Sequence, residues 1–346
     1  MLKARILYEH GADGRPFGSA YLRLIRPLTH PKVVGDMSVD FSSANDGPRA
    51  DVILVDRLWR PDLSSALARE LVSSARREGA KLIACLDDSF HDLKREDTPP
   101  ADKLDALDIL LDNAEGVIVT TPQLAERVRP ATRTVIIVPN ALDERLLTAS
   151  AHIKAANPQQ IVIGYMGTYT HDADLRMILP ALAEVKARLG RMIAIEMIGG
   201  SLAPDVNAEL ERLGAIWLSP PPGDDEYPSF MLWFTSRVRW EIAIAPLRDD
   251  AFNACKSDLK LLDYSAIGAA TVFSRVRAYD TVSHLEHGLI ADSSPAEWNS
   301  ALMTLATDDA LRQRIARKAS QYLYDHRTLA SRTNKDLGQA IRDVMN

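Results

Sequence analysis

Apolar residues in this chain fall into short continuous runs that alternate with stretches of helical spacing. Ile6 to Tyr8, Val52 to Val55, Leu82 to Leu86, Val117 to Val119 and Val135 to Val138 read as strands, with helical patterns near 61–78, 101–113 and 122–129. A second series follows at Ile161 to Tyr165, Ile193 to Ile198, Ala215 to Leu218, Glu241 to Ala245, Thr271 to Phe273 and Gly288 to Ile290. After Thr170, Leu175, Ile178, Leu179, Leu182, Val185 and Leu189 form one helical stripe, and Pro180 inside it is expected to kink or break the helix. Helical patterns at 295–307, 309–325 and 329–345 finish the chain. Strands that alternate with helices predict an α/β protein with parallel sheets covered on both faces. The expected organisation is two Rossmann-like domains facing a central cleft: 1–145, a linker at 146–158, 159–320, and a final helical segment at 321–346 with a place against the N-terminal domain.

Composition narrows the picture without changing it. The 346 residues are 46% hydrophobic and 25% charged, which suits two buried cores. A formal charge of −6 with interspersed signs gives no basic surface for nucleic acid. Cys85 and Cys255 fall in different halves of the chain and make neither a disulfide framework nor a zinc spacing. No apolar run approaches the roughly 18 residues needed to span a bilayer. The N-terminal MLKARILYEHG enters a strand pattern without a signal-peptide core, so a cytoplasmic protein is expected. Arg312, Arg314, Arg317 and Lys318 form a basic run, either a solvated face or a peripheral contact at the inner face of a membrane.

Parallel sheets bind ligands beyond the carboxyl ends of their strands. The residues there in the first half are Glu9 and His10, Asp56 and Arg57, Asp87 and Asp88, Thr120 and Thr121, and Pro139 and Asn140. Asp87 and Asp88 are candidates for a base or for binding an acceptor hydroxyl, or else for an Asx turn. His10, Arg57 and Asn140, with Gly18 of the loop HGADGRPFGSAY, are placed on the acceptor side. That loop lacks the GxGxxG spacing, and no GxxxxGK[ST] run exists, so neither a nicotinamide cofactor nor a P-loop is supported.

In the second half, the stretch PLRDDAFNACKSDLKLLDYSAIG concentrates the chemistry. An apolar strand leads through a short loop into a helix that Gly268 ends, with Leu259, Leu262 and Ala266 expected to face the sheet. Lys256, Lys260 and Asp263 are expected on another face of that helix. Its free N–H groups and two lysines suit a diphosphate, and its carboxylate suits ribose. Gly167 and Thr168 open the preceding helix with a glycine and a hydroxyl, with His171 there as a capping or contact residue and Asp174 as a cap. The rigid loop Leu218 to Gly223 suits one side of a flat base.

These residues resemble those of a known group. VIVTTPQLAERV with VIIVPNALD, IGYMGTYTHDADL, and above all FNACKSDLKLLDYSAIGAATVFS look like the linker approach, donor-domain opening and donor signature of GT-B glycosyltransferases, specifically the retaining family 4 enzymes. The resemblance implies that Gly167 and Thr168 approach the diphosphate and sugar, with His171 near them. Lys256 and the backbone of Ser257, Asp258 and Leu259 would hold phosphate or sugar, with Lys260 adding charge. Asp263 would bind ribose, and Pro221, within Pro220 to Pro222, would flank the base. Asp87 and Asp88 would face the acceptor. The first acid of the family's pair falls at Cys255, which cannot hydrogen-bond a sugar hydroxyl as a carboxylate does.

The expected function is transfer of a sugar from a nucleotide diphosphate sugar to a carbohydrate, lipid-linked or small-molecule acceptor hydroxyl, with retention, and with no metal and no cofactor beyond the donor itself. Lys256, Asp87 and Asp88 are the expected catalytic groups. Two alternatives stand beside it: a nucleotide-sugar epimerase of the same plan, and a non-catalytic sugar-nucleotide-binding subunit. The sequence leaves the nucleobase, sugar, acceptor and oligomeric state open.

Overall fold

A computed structural model describes residues 1–93, 98–129, 134–148, 160–168, 171–331 and 336–346. The chain folds into two compact units: Met1–Glu144 with Cys255–Ser257 and Thr328–Asn346, and Arg145–Ala254 with Asp258–Arg327.

The first unit opens with β1 (Lys3–Leu7), then the short helices α1 (Gly18–Ala20) and α2 (Arg26–Leu28) joined by a π-helical turn at Tyr21–Ile25, and α3 (Pro31–Val34). It continues through β2 (Ser38–Ser42), β3 (Val52–Asp56), α4 (Ser65–Glu78), β4 (Lys81–Leu86), α5 (Ala101–Asn113), β5 (Gly116–Val119), α6 (Pro122–Val128) and β6 (Val135–Ile137). All six strands are parallel, in the order β2-β1-β3-β4-β5-β6. Because successive side chains alternate, Ile53 and Val55 of β3 pack on the α4–α6 side, while Val52 and Leu54 pack on the other. Burial on both faces explains why these strands read as unbroken apolar runs.

Boundaries follow local signals. Ser64 caps α4 by accepting from Leu67 N at 3.4 Å, so the helix starts later than residue 61. Thr121 caps α6 in the same way at 3.2 Å, with Pro122 in the first turn.

In the second unit β7 (Ile161–Gly167), α7 (Asp172–Leu189), β8 (Ile193–Gly199), α8 (Pro204–Arg212), β9 (Ala215–Leu218), α9 (Tyr227–Arg237) and β10 (Ile242–Ala245) alternate. Then come α10 (Ala251–Ala254), α11 (Leu259–Ala266), β11 (Ala270–Ser274), β12 (Leu289–Ala291), α12 (Pro295–Thr307) and α13 (Asp309–His326). The sheet is again parallel, in the order β12-β11-β10-β7-β8-β9. The chain ends in α14 (Leu337–Met345), whose Leu337, Ala340, Ile341 and Val344 are buried in the core of the first unit.

Counted from its own first strand, the second sheet runs 3-2-1-4-5-6 when read from β9, and the first runs 2-1-3-4-5-6. Strand order reverses at β7/β10 in the second and at β1/β3 in the first. In open parallel sheets that reversal leaves a crevice at the carboxyl ends, which is where ligands bind.

Several expectations need correction. Pro180 does not break α7, which runs unbroken from Asp172 to Leu189. The last helix begins at Leu337 rather than 329, with Asp336 capping it through Gln339 N at 2.8 Å. The edge strand β2 has no counterpart in the sequence reading, because SVDFS is short and half polar. The linker expected at 146–158 lies outside the described residues from 149 onward.

The helix expected to carry Lys256 begins only at Leu259, and the four-residue turn α10 separates it from β10. Lys256 therefore shares no helical face with Lys260 and Asp263. Nor does α11 have one apolar stripe: residues 261–266 are all buried, while Leu259 is only half-buried. Gly268 does end it, at φ +72°, with Gly268 N bonding Ser265 O and Ala269 N bonding Tyr264 O.

Tyr264 explains why α11 is buried so deeply. Its hydroxyl accepts from Met166 N at 3.0 Å and lies 3.2 Å from Ile244 O, to which it donates, so one side chain ties β7 to β10. Tyr264→Phe would leave a buried amide unpaired, and we expect a loss of about 1–3 kcal/mol in urea unfolding. A change below about 0.5 kcal/mol would show that the hydroxyl is not a structural tie.

Candidate functional site

At the β7/β10 reversal a single carboxylate gathers the surrounding loops. Asp174, in the first turn of α7, is fully buried. It accepts from Arg248 N at 2.8 Å and from Asn253 Nδ2 at 3.3 Å, and its other oxygen meets His171 Nδ1 at 2.8 Å. Asn253 also donates to Arg248 O at 3.0 Å. The loop after β10 is thus fastened to the start of α7, with the Arg248 side chain half-exposed and its Nε 3.7 Å from Asp174.

His171 and Asp174 do not cap α7; they pair with each other. Gly167 and Thr168 follow β7 at the same end of the sheet. Gly167 stands in register with Gly199 of β8, whose φ is +79°. A Cβ at Gly199 would lie 1.9 Å from Gly167 O, so the two strand ends meet at a separation only glycine permits.

Two other candidates in this unit, Asp258 and Asp263, are buried. Asp258 forms a two-pronged ion pair with Arg327 at 2.6 and 2.8 Å and accepts from Thr281 Oγ1 at 2.7 Å. Asp263 is buried, and burial raises its pKa to about 6 while Lys260, 4.0 Å away, pulls it down. Lys260 also lies over the Tyr264 ring at 5.7 Å. Pro221 is exposed in its loop. Of the basic run, Arg312 pairs with Asp309 and Lys318 with Glu286 at 2.7 Å.

At the β1/β3 reversal the first unit gathers charge of both signs. Arg57, at φ +49°, meets Glu9 at 2.8 Å, Asp87 at 3.1 Å and Asp88 at 3.8 Å. A non-glycine residue in the left-handed region is a strained conformation of the kind retained at working sites. Lys256 Nζ sits 3.2 Å from Asp88, in the same unit. Cys255 is buried in the first unit's core, and its carbonyl accepts from Thr121 Oγ1 at 2.9 Å. Asn140 donates to Ser257 Oγ at 2.9 Å. His10 bonds Gly11 O through Nδ1 at 2.8 Å, while its buried Nε2 has no hydrogen-bond partner. Gly18 is exposed at the start of α1.

Burial works against the Arg57 charge, yet Asp87, Glu9, Asp88 and Asp56 hold its pKa above the ordinary guanidinium value. Burial lifts the Glu9 carboxyl, and it pushes fully buried Asp56 up to about 7, with Glu9 and Asp87 adding to the effect. Burial also takes the Cys255 thiol up to about 11. Asp56, Asp174, Gly199, Arg248 and Asn253 are absent from the sequence-based site. Gly199-Gly200 after an apolar run was the available signal for one of them.

No protein-family model matches the chain, and no curated protein matches it. Its fold does match solved structures. Sucrose-phosphate synthase from Thermosynechococcus elongatus aligns over 100% of this chain and 99% of its own, at TM-score 0.70 and 13% identity. HepE from Anabaena, solved in complex with UDP and glucose, aligns over the same shares at TM-score 0.68 and 14% identity. OtsA aligns over 87% of this chain and 74% of its own, at TM-score 0.56 and 16% identity.

A raised folded pKa makes Asp56 a pH probe of its cluster. Between its ordinary value of 3.8 and about 7 the folded state holds a proton that the unfolded chain has released, so stability falls as pH rises. Relative to Asp56→Asn, the wild type should lose on the order of 1–4 kcal/mol in urea unfolding between about pH 4 and pH 8. Parallel pH profiles for the two proteins would contradict the assignment. With two parallel six-stranded sheets, each flanked by helices, this chain has the GT-B fold.

Proposed function

We propose that this protein is a glycosyltransferase that takes its sugar from a nucleotide diphosphate donor, with retention and without metal. The observation that carries the reading is the β7/β10 reversal, where Gly167, Thr168 and Arg248 converge on the loops that Asp174 fastens. Close glycine backbone and a half-exposed guanidinium suit a diphosphate. HepE, which shares the fold, was solved with UDP and glucose, and this agrees with a nucleotide-sugar donor.

In this reading the donor binds through Gly167, Thr168, His171, Arg248, Ser257 to Lys260 and Asp263, with Pro221 beside the base. The bond from the anomeric carbon to the diphosphate oxygen breaks as the acceptor oxygen bonds that carbon from the face the diphosphate leaves, which keeps its configuration. Lys256 and Lys260 offset the charge that builds on the leaving group. Asp87 and Asp88 bind the acceptor hydroxyl and take its proton, and His10, Gly18, Arg57 and Asn140 shape the acceptor side. The acceptor is a carbohydrate, a lipid-linked group or a small molecule.

Cys255 favours a second reading, a sugar-nucleotide-binding protein without turnover. Its thiol, buried and pushed up to about 11, stays neutral where the resemblance calls for a carboxylate.

A thermal-shift panel of nucleoside diphosphates and nucleotide sugars identifies the donor, because a ligand of the folded state raises its midpoint. With that donor, acceptor-dependent release of nucleoside diphosphate is expected, and Lys256→Ala should lower kcat/KM at least tenfold, about 1.4 kcal/mol of transition-state stabilisation. A change within a factor of about two would remove Lys256 from the mechanism. Binding with no turnover would favour the second reading, and conversion of the donor to an isomer without acceptor would make the protein an epimerase.

A further inference from the structure

Among the described residues of the first unit, Arg23 is a buried cation without an ion pair. It lies in the π-helical turn Tyr21–Ile25 between Leu22 and Leu24, and all three are buried. Only 7% of Arg23 is exposed, its Nη1 has no hydrogen-bond partner, and no carboxylate of the described residues comes within 4.0 Å. A guanidinium carries five N–H donors and stays charged at any physiological pH. Burying one without a partner is strongly unfavourable, so such groups mark places where an ion or a ligand completes the structure.

The geometry offers room for one. Arg23 lines a cavity of about 20 Å³ with Asn140, Pro139, Asp336, Leu22 and Val33. That volume holds one water-sized group. Exposed Pro139 brings the cavity to the surface, and Asn140 places it just past the end of β6. Asp336 shares the lining, but its carboxylate is engaged in capping α14. The widened turn explains how a charged residue between two core leucines faces inward, and π-helical turns recur at functional sites.

We propose that Arg23 and this cavity form an anion site that receives one oxygen of a carboxylate or phosphate group. Water alone satisfies donors but leaves the charge uncompensated, whereas an anionic oxygen does both. The site is independent of the nucleotide-sugar reading.

The test is a thermal-shift titration of the full chain with inorganic phosphate and with acetate, for the wild type, Arg23→Met and Arg23→Lys. Phosphate bound elsewhere, and general salt effects, move all three proteins alike. The wild type should gain about 2 °C or more over Arg23→Met at saturation, with Arg23→Lys in between. A larger gain with phosphate points to a phosphorylated ligand, and a larger gain with acetate to a carboxylate. Equal shifts in wild type and Arg23→Met, or none in the wild type, would overturn the site. Should Arg23→Met fail to fold, wild-type crystals soaked in bromide decide: an anomalous peak in the cavity lined by Arg23 supports the proposal, and an empty cavity ends it.

Discussion

A buried carboxylate at the crevice of a parallel sheet is the constraint on which the proposed donor site rests. Asp174 has no exposed surface, so its oxygens depend on the groups around it for their hydrogen bonds. Those groups are the Arg248 amide, the Asn253 amide and the His171 ring, drawn from both strand–helix loops at the β7/β10 reversal. One side chain therefore fixes the path of two loops. Tyr264 does the matching work beneath, joining β7 to β10 through its hydroxyl. Together they hold Gly167, Thr168 and Arg248 in place before any ligand arrives, and such preorganisation removes a cost that binding would otherwise bear.

The first unit treats its own reversal point differently. There the centre is a cation, Arg57, among Glu9, Asp87 and Asp88, with Lys256 on the far side of Asp88. Burial raises the proton affinity of Asp56 and Glu9 beside that cation. A set of acids and bases held in this way suits binding and deprotonating a hydroxyl, whereas the second unit's backbone and guanidinium suit an anion. The same topological rule thus gathers groups of different chemical character at the two reversals.

Most of the fold could be read from the chain because parallel strands buried on both faces leave continuous apolar runs, and helices leave caps such as Ser64, Thr121 and Asp336. What escaped has physical reasons. β2 is a short, half-polar edge strand with no apolar run to detect. Helical spacing extended α11 back to Lys256, although residues 255–257 pack in the first unit and the helix starts at Leu259. Strand-end residues such as Gly167, Asp87 and Asp88 were legible from position alone. Asp174 and Asn253, 79 residues apart, were not, since nothing in periodicity pairs them. Arg23 between two core leucines was hidden by a turn wider than the helix that the pattern assumes.

The central claim is that Asp174 preorganises a diphosphate site in the second unit. Calorimetric titration of Asp174→Asn with the nucleoside diphosphate that stabilises the wild type most tests it directly. Asparagine can still accept from Arg248 N but puts an amide group where the second oxygen meets His171 Nδ1. Binding at least tenfold weaker, about 1.4 kcal/mol, in a variant that still unfolds cooperatively is the expected result. An unchanged Kd would contradict the account.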